Sequence, residues 1–159
     1  MFRSFVLRCL LIISSLFLTV PAALAARTIL VFGDSLSAGY GISGESAWPS
    51  LLAKRLREKG IDYSVVNASI SGETTSGGRS RLDDALNKHT PDIVIIALGS
   101  NDGLRGLPIA TLRDNLLAMT DTAQKRKARA LIVGQRLPPN YGPYAEQFRR
   151  VFAEVATAR

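Results

Sequence analysis

At 159 residues, with 47% hydrophobic and 21% charged side chains, the chain has the make-up of one globular domain that buries a single core. This composition excludes an intrinsically disordered chain, and the sequence carries no internal repeat, low-complexity tract or domain linker. The formal net charge of +7 and the single cysteine, Cys9, leave nucleic-acid binding and thiol chemistry to be weighed along the chain.

The first 25 residues have the three-part layout of a secretory signal peptide: Arg3 in a short basic start, an apolar run from Leu10 to Val20, and Ala23-Leu24-Ala25 as a small-residue cleavage site. The apolar run is well short of the roughly 20 residues a bilayer-spanning helix needs, and Arg8 interrupts its approach. Cleavage is therefore expected, giving residues 1–25 as signal and 26–159 as the domain, with no stable membrane anchor afterwards. Cys9 lacks the small-residue context of a lipidated cysteine and would leave with the signal. A cysteine-free domain suits an oxidising periplasm or exterior. Loss of Arg3 and Arg8 lowers the net charge from +7 to +5. The densest remaining cationic run, Lys125-Arg126-Lys127-Ala128-Arg129, fits the C-terminal end of a helix and has no aromatics on which bases could stack, which argues against a nucleic-acid partner.

Beyond the signal, short apolar runs alternate with helical patterns, the signature of a parallel sheet with crossover helices. Strands are predicted at Thr28–Phe32, Ser64–Asn67, Ile93–Leu98 and Ala130–Gly134, each nearly continuous in apolar residues, as in strands covered on both faces. Helices are predicted near Ala47–Lys59, Gly78–Lys88, Ile109–Lys127 and Tyr144–Ala158; Leu51, Leu52 and Leu56 recur at one-face spacing, and Gly60 and Pro91 punctuate the pattern.

In an open parallel sheet, functional loops gather at the carboxyl ends of the strands. Those ends carry Gly33-Asp34-Ser35-Leu36-Ser37, Ala68-Ser69-Ile70-Ser71-Gly72, Gly99-Ser100-Asn101-Asp102-Gly103 and Gln135-Arg136-Leu137-Pro138-Pro139. A serine becomes a nucleophile when a base removes its proton and donors await the oxygen that becomes negative. Ser35 follows the first strand on a glycine-led turn. Gly72 can bring a backbone N–H close, and Asn101 offers a neutral amide donor. Taken singly, each tripeptide is an ordinary turn; their placement after three successive strands gives them a joint meaning.

These blocks, with Asn67-Ala68-Ser69-Ile70-Ser71-Gly72-Glu73-Thr74 around Gly72, resemble the first three sequence blocks of the SGNH/GDSL hydrolases. Ala47-Trp48-Pro49, Asn101-Asp102-Gly103-Leu104-Arg105-Gly106 and Gln135-Arg136-Leu137-Pro138-Pro139-Asn140-Tyr141-Gly142 resemble the bacterial periplasmic branch of multifunctional acyl-CoA thioesterases, lysophospholipases and arylesterases. The resemblance implies a flavodoxin-like three-layer α/β/α sandwich. It further implies Ser35 as nucleophile, and an oxyanion hole of Gly72, Asn101 and the Ser35 backbone N–H. The substrates would be small-molecule acyl esters and thioesters, with neither metal nor organic cofactor.

The fourth block of that family, Asp-x-x-His near the C-terminus, has no counterpart in these 159 residues. A fifth strand, the loop bearing acid and base, and a last helix would need about 40 more residues. The chain is therefore expected to be C-terminally truncated relative to the family, nearly inactive as it stands, and poorly folded. His89, the only histidine, falls before the third strand at the amino edge of the sheet and is expected to be an exposed helix-end residue. Asp34 and Asp102 are weak bases, with an ordinary aspartate pKa of about 3.9, and are expected to shape their turns. Two other readings are open. Gly39-Tyr40-Gly41-Ile42-Ser43-Gly44 matches a dinucleotide-binding pattern, though not at a strand end. A non-catalytic acyl- or ester-binding pseudoenzyme, or a gene fragment, would also account for the missing base. Oligomeric state leaves no trace in the sequence.

Overall fold

The computed structural model describes residues 27–159; the expected signal peptide, with Cys9, lies outside the described residues. Four parallel strands, β1 (Arg27–Gly33), β2 (Tyr63–Asn67), β3 (Ile93–Ala97) and β4 (Arg129–Ile132), pair in the order β2-β1-β3-β4. The helices are α1 (Ser35–Ala38), α2 (Trp48–Glu58), α3 (Thr75–His89), α4 (Ser100–Leu104), α5 (Ile109–Lys125) and α6 (Pro143–Thr157). This is an α/β fold.

Strand alternation divides the core into two layers. Leu30, Phe32, Val94, Ile96 and Leu98 face α3, α5 and α6, where Leu82, Leu116, Met119, Phe148 and Phe152 complete the larger layer. Ile29, Val31 and Ile95 face the other way, onto Trp48, Leu52 and Leu56 of α2. Each of these side chains contributes about 1.5–3 kcal/mol by leaving water, so the central strands anchor the fold. Burial of both faces, expected for all four strands, holds for β1 and β3 alone. The flanking strands β2 and β4 are partly exposed, and Leu131 of β4 projects from the smaller layer to solvent. An edge strand has a neighbour on one flank only, and α2 does not cover that end of the sheet.

The topology determines where a site can form. The chain steps from β1 outward to β2, then crosses back over β1 to β3, so the strand order reverses between β1 and β3. At such a reversal the crossover helices diverge to opposite faces and open a crevice at the carboxyl ends. Ser35 opens the segment after β1, and Asn101 lies in the one after β3.

Helix α6 is held onto this frame by Phe148, Val151, Phe152 and Val155. On its outer face Glu146 accepts hydrogen bonds from Arg149 and Arg150, and these guanidinium groups hold its carboxyl down at about 2, from an ordinary 4.5. Because the folded pKa is depressed, the contribution is present above 4.5 and fades as pH falls toward 2. Melting curves of the chain and of Glu146→Gln should differ slightly at neutral pH and converge through that window. A difference that persists at the acid end would assign the effect to something other than the carboxylate.

Candidate active site

Asp34 caps α1: its side chain accepts the Leu36 N–H at 3.0 Å, and its carbonyl accepts those of Ser37 and Ala38. The Ser35 N–H is left without a partner within the turn. Asp34 is fully buried; burial pushes its carboxyl above the ordinary aspartate value, the Leu36 N–H opposes that shift, and Asp102 adds to it. The far end of α1 is tied from two sides. Trp48 donates its indole N–H to Ser37 Oγ at 3.2 Å, and Asn67 donates its amide to the Ser37 carbonyl at 2.8 Å. The turn bearing the serine is thus fixed to both α2 and β2.

Gly72 lies at φ +80°, a conformation that side-chain-bearing residues rarely adopt, in the loop between β2 and α3. That loop is held by contacts from several elements. The Ile70 N–H donates to the Gly33 carbonyl at 3.0 Å, and Arg105 donates to the Gly72 carbonyl at 3.1 Å. Arg81 of α3 stacks on the Phe32 ring, donates to the Ala68 carbonyl at 2.9 Å and forms a 2.6 Å ion pair with Glu73.

Asn101 joins the two loops. Its amide donates to the Glu73 carbonyl at 2.9 Å and lies 3.5 Å from the Asp34 carboxylate. One amide proton is therefore engaged, while the other meets only a contact at the limit of hydrogen bonding. Gly99, at φ +126°, starts α4 and aims it: a Cβ there would lie 3.0 Å from the Phe152 ring. Beneath α4, the buried Asp102 accepts the Thr75 N–H at 2.9 Å and the Thr75 hydroxyl, which in turn accepts the Asn115 amide at 3.1 Å. The fourth loop is tied to α4 and the segment after it: Ser100 donates to the Gln135 side chain at 2.6 Å, Tyr141 donates to the Leu104 carbonyl, and Tyr144 at the start of α6 donates to the Leu107 carbonyl.

The structure thus gathers Ser35, Gly72 and Asn101 at one rim, with Asn101 against the neighbours of both other residues. Asp34 and Asp102 shape their turns, as the sequence suggests. His89 closes α3 just before β3, at the opposite edge of the sheet, and it is half-buried where an exposed residue was expected. Thr90 caps the helix end in a left-handed conformation, its N–H donating to the Leu86 carbonyl. The segment Gly39–Gly44 follows α1, so its glycines open no helix at a strand end, as a dinucleotide site requires. The basic run closes α5, where Arg126 pairs with Asp83 and Asn87. Sequence reasoning missed Arg81, Thr75 and Asn115; only the Thr74 cap before a polar first turn hinted at Thr75.

Residues 31–159 match the model of the GDSL-like lipase/acylhydrolase family. The chain belongs to that family. Among its relatives, the esterase TesA of Pseudomonas aeruginosa is 51% identical over 133 residues, covering 83% of this chain and 66% of the relative. Thioesterase 1/protease 1/lysophospholipase L1 of Escherichia coli is 43% identical over 135 residues, 84% of this chain and 64% of the relative. The chain spans about two thirds of the length of these two. In three dimensions it is similar to the crystal structure of TesA, at 50% identity and TM-score 0.81, covering 83% of this chain and 74% of that one. It is also similar to AlinE4, an SGNH-hydrolase family esterase, at 39% identity and TM-score 0.80, with coverage of 84% and 72%. The GDSL-like chain therefore has the fold of a hydrolase family whose named members include esterases, an arylesterase and a thioesterase/lysophospholipase.

Proposed function

We propose that this chain carries the nucleophile and oxyanion donors of an exported hydrolase acting on carboxylic esters and thioesters of acyl chains. Residues 1–25 would be its cleaved signal and 26–159 its domain. The observation that carries the reading is the placement of the Asn101 amide between the turn of Ser35 and the loop of Gly72. In this mechanism Ser35 Oγ loses its proton to a base and bonds to the carbonyl carbon. The developing oxyanion takes hydrogen bonds from the Ser35 and Gly72 N–H groups and the free Asn101 proton. The alcohol or thiol leaves with a proton, and water hydrolyses the acyl-serine. A cleft of about 300 Å³ next to α1, with Leu36, Trp48, Ala97 and Val133 in its wall and Ser37, Ser100, Gln135 and Arg136 among its polar lining, offers room for part of an acyl chain.

None of the 159 residues is a histidine at this rim, because His89 lies at the opposite edge. Donors alone leave about 10³–10⁴-fold acceleration over water, so turnover by these residues should fall several orders of magnitude short of a serine assisted by a base. Imidazole in solution can stand in for the base. Hydrolysis of p-nitrophenyl acetate and butyrate should rise with imidazole beyond imidazole's own rate, and Ser35→Ala should abolish the excess. An excess that survives Ser35→Ala would remove the serine from the mechanism. His89 also supports a second reading, a rim that binds acyl esters without cleaving them. Saturable ester binding with no imidazole-dependent excess would establish that one.

A further inference from the structure

Eight large apolar side chains are exposed among the described residues, and their distribution is uneven. Five of them, Leu36, Tyr40, Ile42, Ile70 and Leu104, stand on the segments that leave the carboxyl ends of β1, β2 and β3. Tyr40 is 81% and Leu36 67% exposed, so these side chains cover little of the core beneath them. The segments form one surface, because Ile70 is bonded to Gly33 and Arg105 to Gly72. Scattered surface leucines are unremarkable, but an apolar cluster gathered at the rim that carries Ser35 marks a contact surface.

Charge identifies the partner. The carboxylates Asp34 and Asp102 are buried, and Glu73 is engaged by Arg81. Exposed charged groups on this side include the guanidinium groups of Arg105 and Arg136 and the carboxylate of Glu45, with Lys54 and Arg57 lining the groove next to Glu45. Protruding apolar groups beside net positive charge complement an anionic bilayer surface. There the apolar groups enter the headgroup boundary while the cations meet lipid phosphates. No described helix is long and apolar enough to cross a membrane.

We propose that the rim around Ser35 docks on anionic phospholipid surfaces, presenting the serine at headgroup level to acyl chains held in the lipid. The proposal rests on the esterase reading for the use made of docking, whereas docking itself does not depend on catalysis. The test therefore uses the Ser35→Ala chain, co-sedimented with phosphatidylcholine vesicles with and without phosphatidylglycerol. Binding is expected to the anionic vesicles and to weaken with added salt. Tyr40→Ser combined with Ile42→Ser should lower the partition coefficient about tenfold or more. Arg136→Glu should lower it about tenfold. Ile61→Ser, which removes an exposed apolar side chain at the opposite edge, should leave it unchanged. No sedimentation, equal binding to neutral vesicles, or an equal loss in Ile61→Ser would overturn the proposal. So would sedimentation equilibrium showing that rim substitutions dissolve a dimer, because the cluster would then belong to a second copy. Loss of imidazole-dependent turnover with vesicle binding intact would reject the esterase reading alone.

Discussion

Asp102→Ala is expected to cost about 3 kcal/mol or more and to shift the urea midpoint down accordingly. The carboxylate is almost wholly buried and is the acceptor for both donors of Thr75, its backbone N–H and its hydroxyl. Alanine leaves those two donors in a dry site, at about 1–3 kcal/mol each, and releases the hydroxyl that orients Asn115. Against a total stability of about 5–15 kcal/mol for a domain, that loss is large. Asp102→Asn should fall between, because its one amide oxygen can serve the Thr75 N–H while its NH₂ confronts a hydroxyl already engaged by Asn115. If Asp102→Ala unfolds at the parent midpoint, water or a shifted side chain replaces the acceptor and the bond adds little. The position matters beyond stability: this bond joins the start of α3, just beyond Gly72, to the helix that carries Asn101.

That arrangement shows what the sequence could and could not reveal. The four strands lie within a residue or two of their expected positions, since continuous apolar runs bounded by glycine and proline are a local signal. The shared rim of Ser35, Gly72 and Asn101 was legible because each follows a strand, and the alternation of elements puts strand ends together. Helices α1 and α4 were not expected, being too short for a periodic pattern to show. Helix α3 begins at Thr75 and not near Gly78, because Gly77-Gly78 looks like a breaker in sequence. The reason for Gly78 is tertiary: a Cβ there would lie 2.3 Å from the buried Leu98 side chain. The Thr75–Asp102–Asn115 and Arg81–Glu73–Ala68 contacts link different elements through single polar groups, which leave no periodicity. The exposure of β4 likewise depends on which helix covers which end of the sheet, and the apolar composition of a strand does not state that.

Arg81→Ala should cost about 3 kcal/mol and, more informatively, should release the Asn101 amide. The arginine is 23% and its partner Glu73 13% exposed, so solvent screens the ion pair only in part. Alanine removes that pair, the bond to the Ala68 carbonyl and the stacking on Phe32 together. Arg81→Met retains the apolar stem against Phe32 and should recover part of the loss. Pairing it with Glu73→Gln should recover more, because no carboxylate is then stranded; a double-mutant cycle on urea midpoints measures that coupling. The Glu73 backbone also supplies the carbonyl that engages one Asn101 proton. When the loop loosens, the amide should turn toward Asp34, and its two side-chain proton resonances should shift in a ¹⁵N-correlated spectrum of the folded variant. Lower stability with unmoved Asn101 resonances would make Arg81 a brace for the core alone. Displaced resonances in Arg81→Met, whose packing on Phe32 is preserved, would show that the arginine's polar contacts determine where the Asn101 amide points.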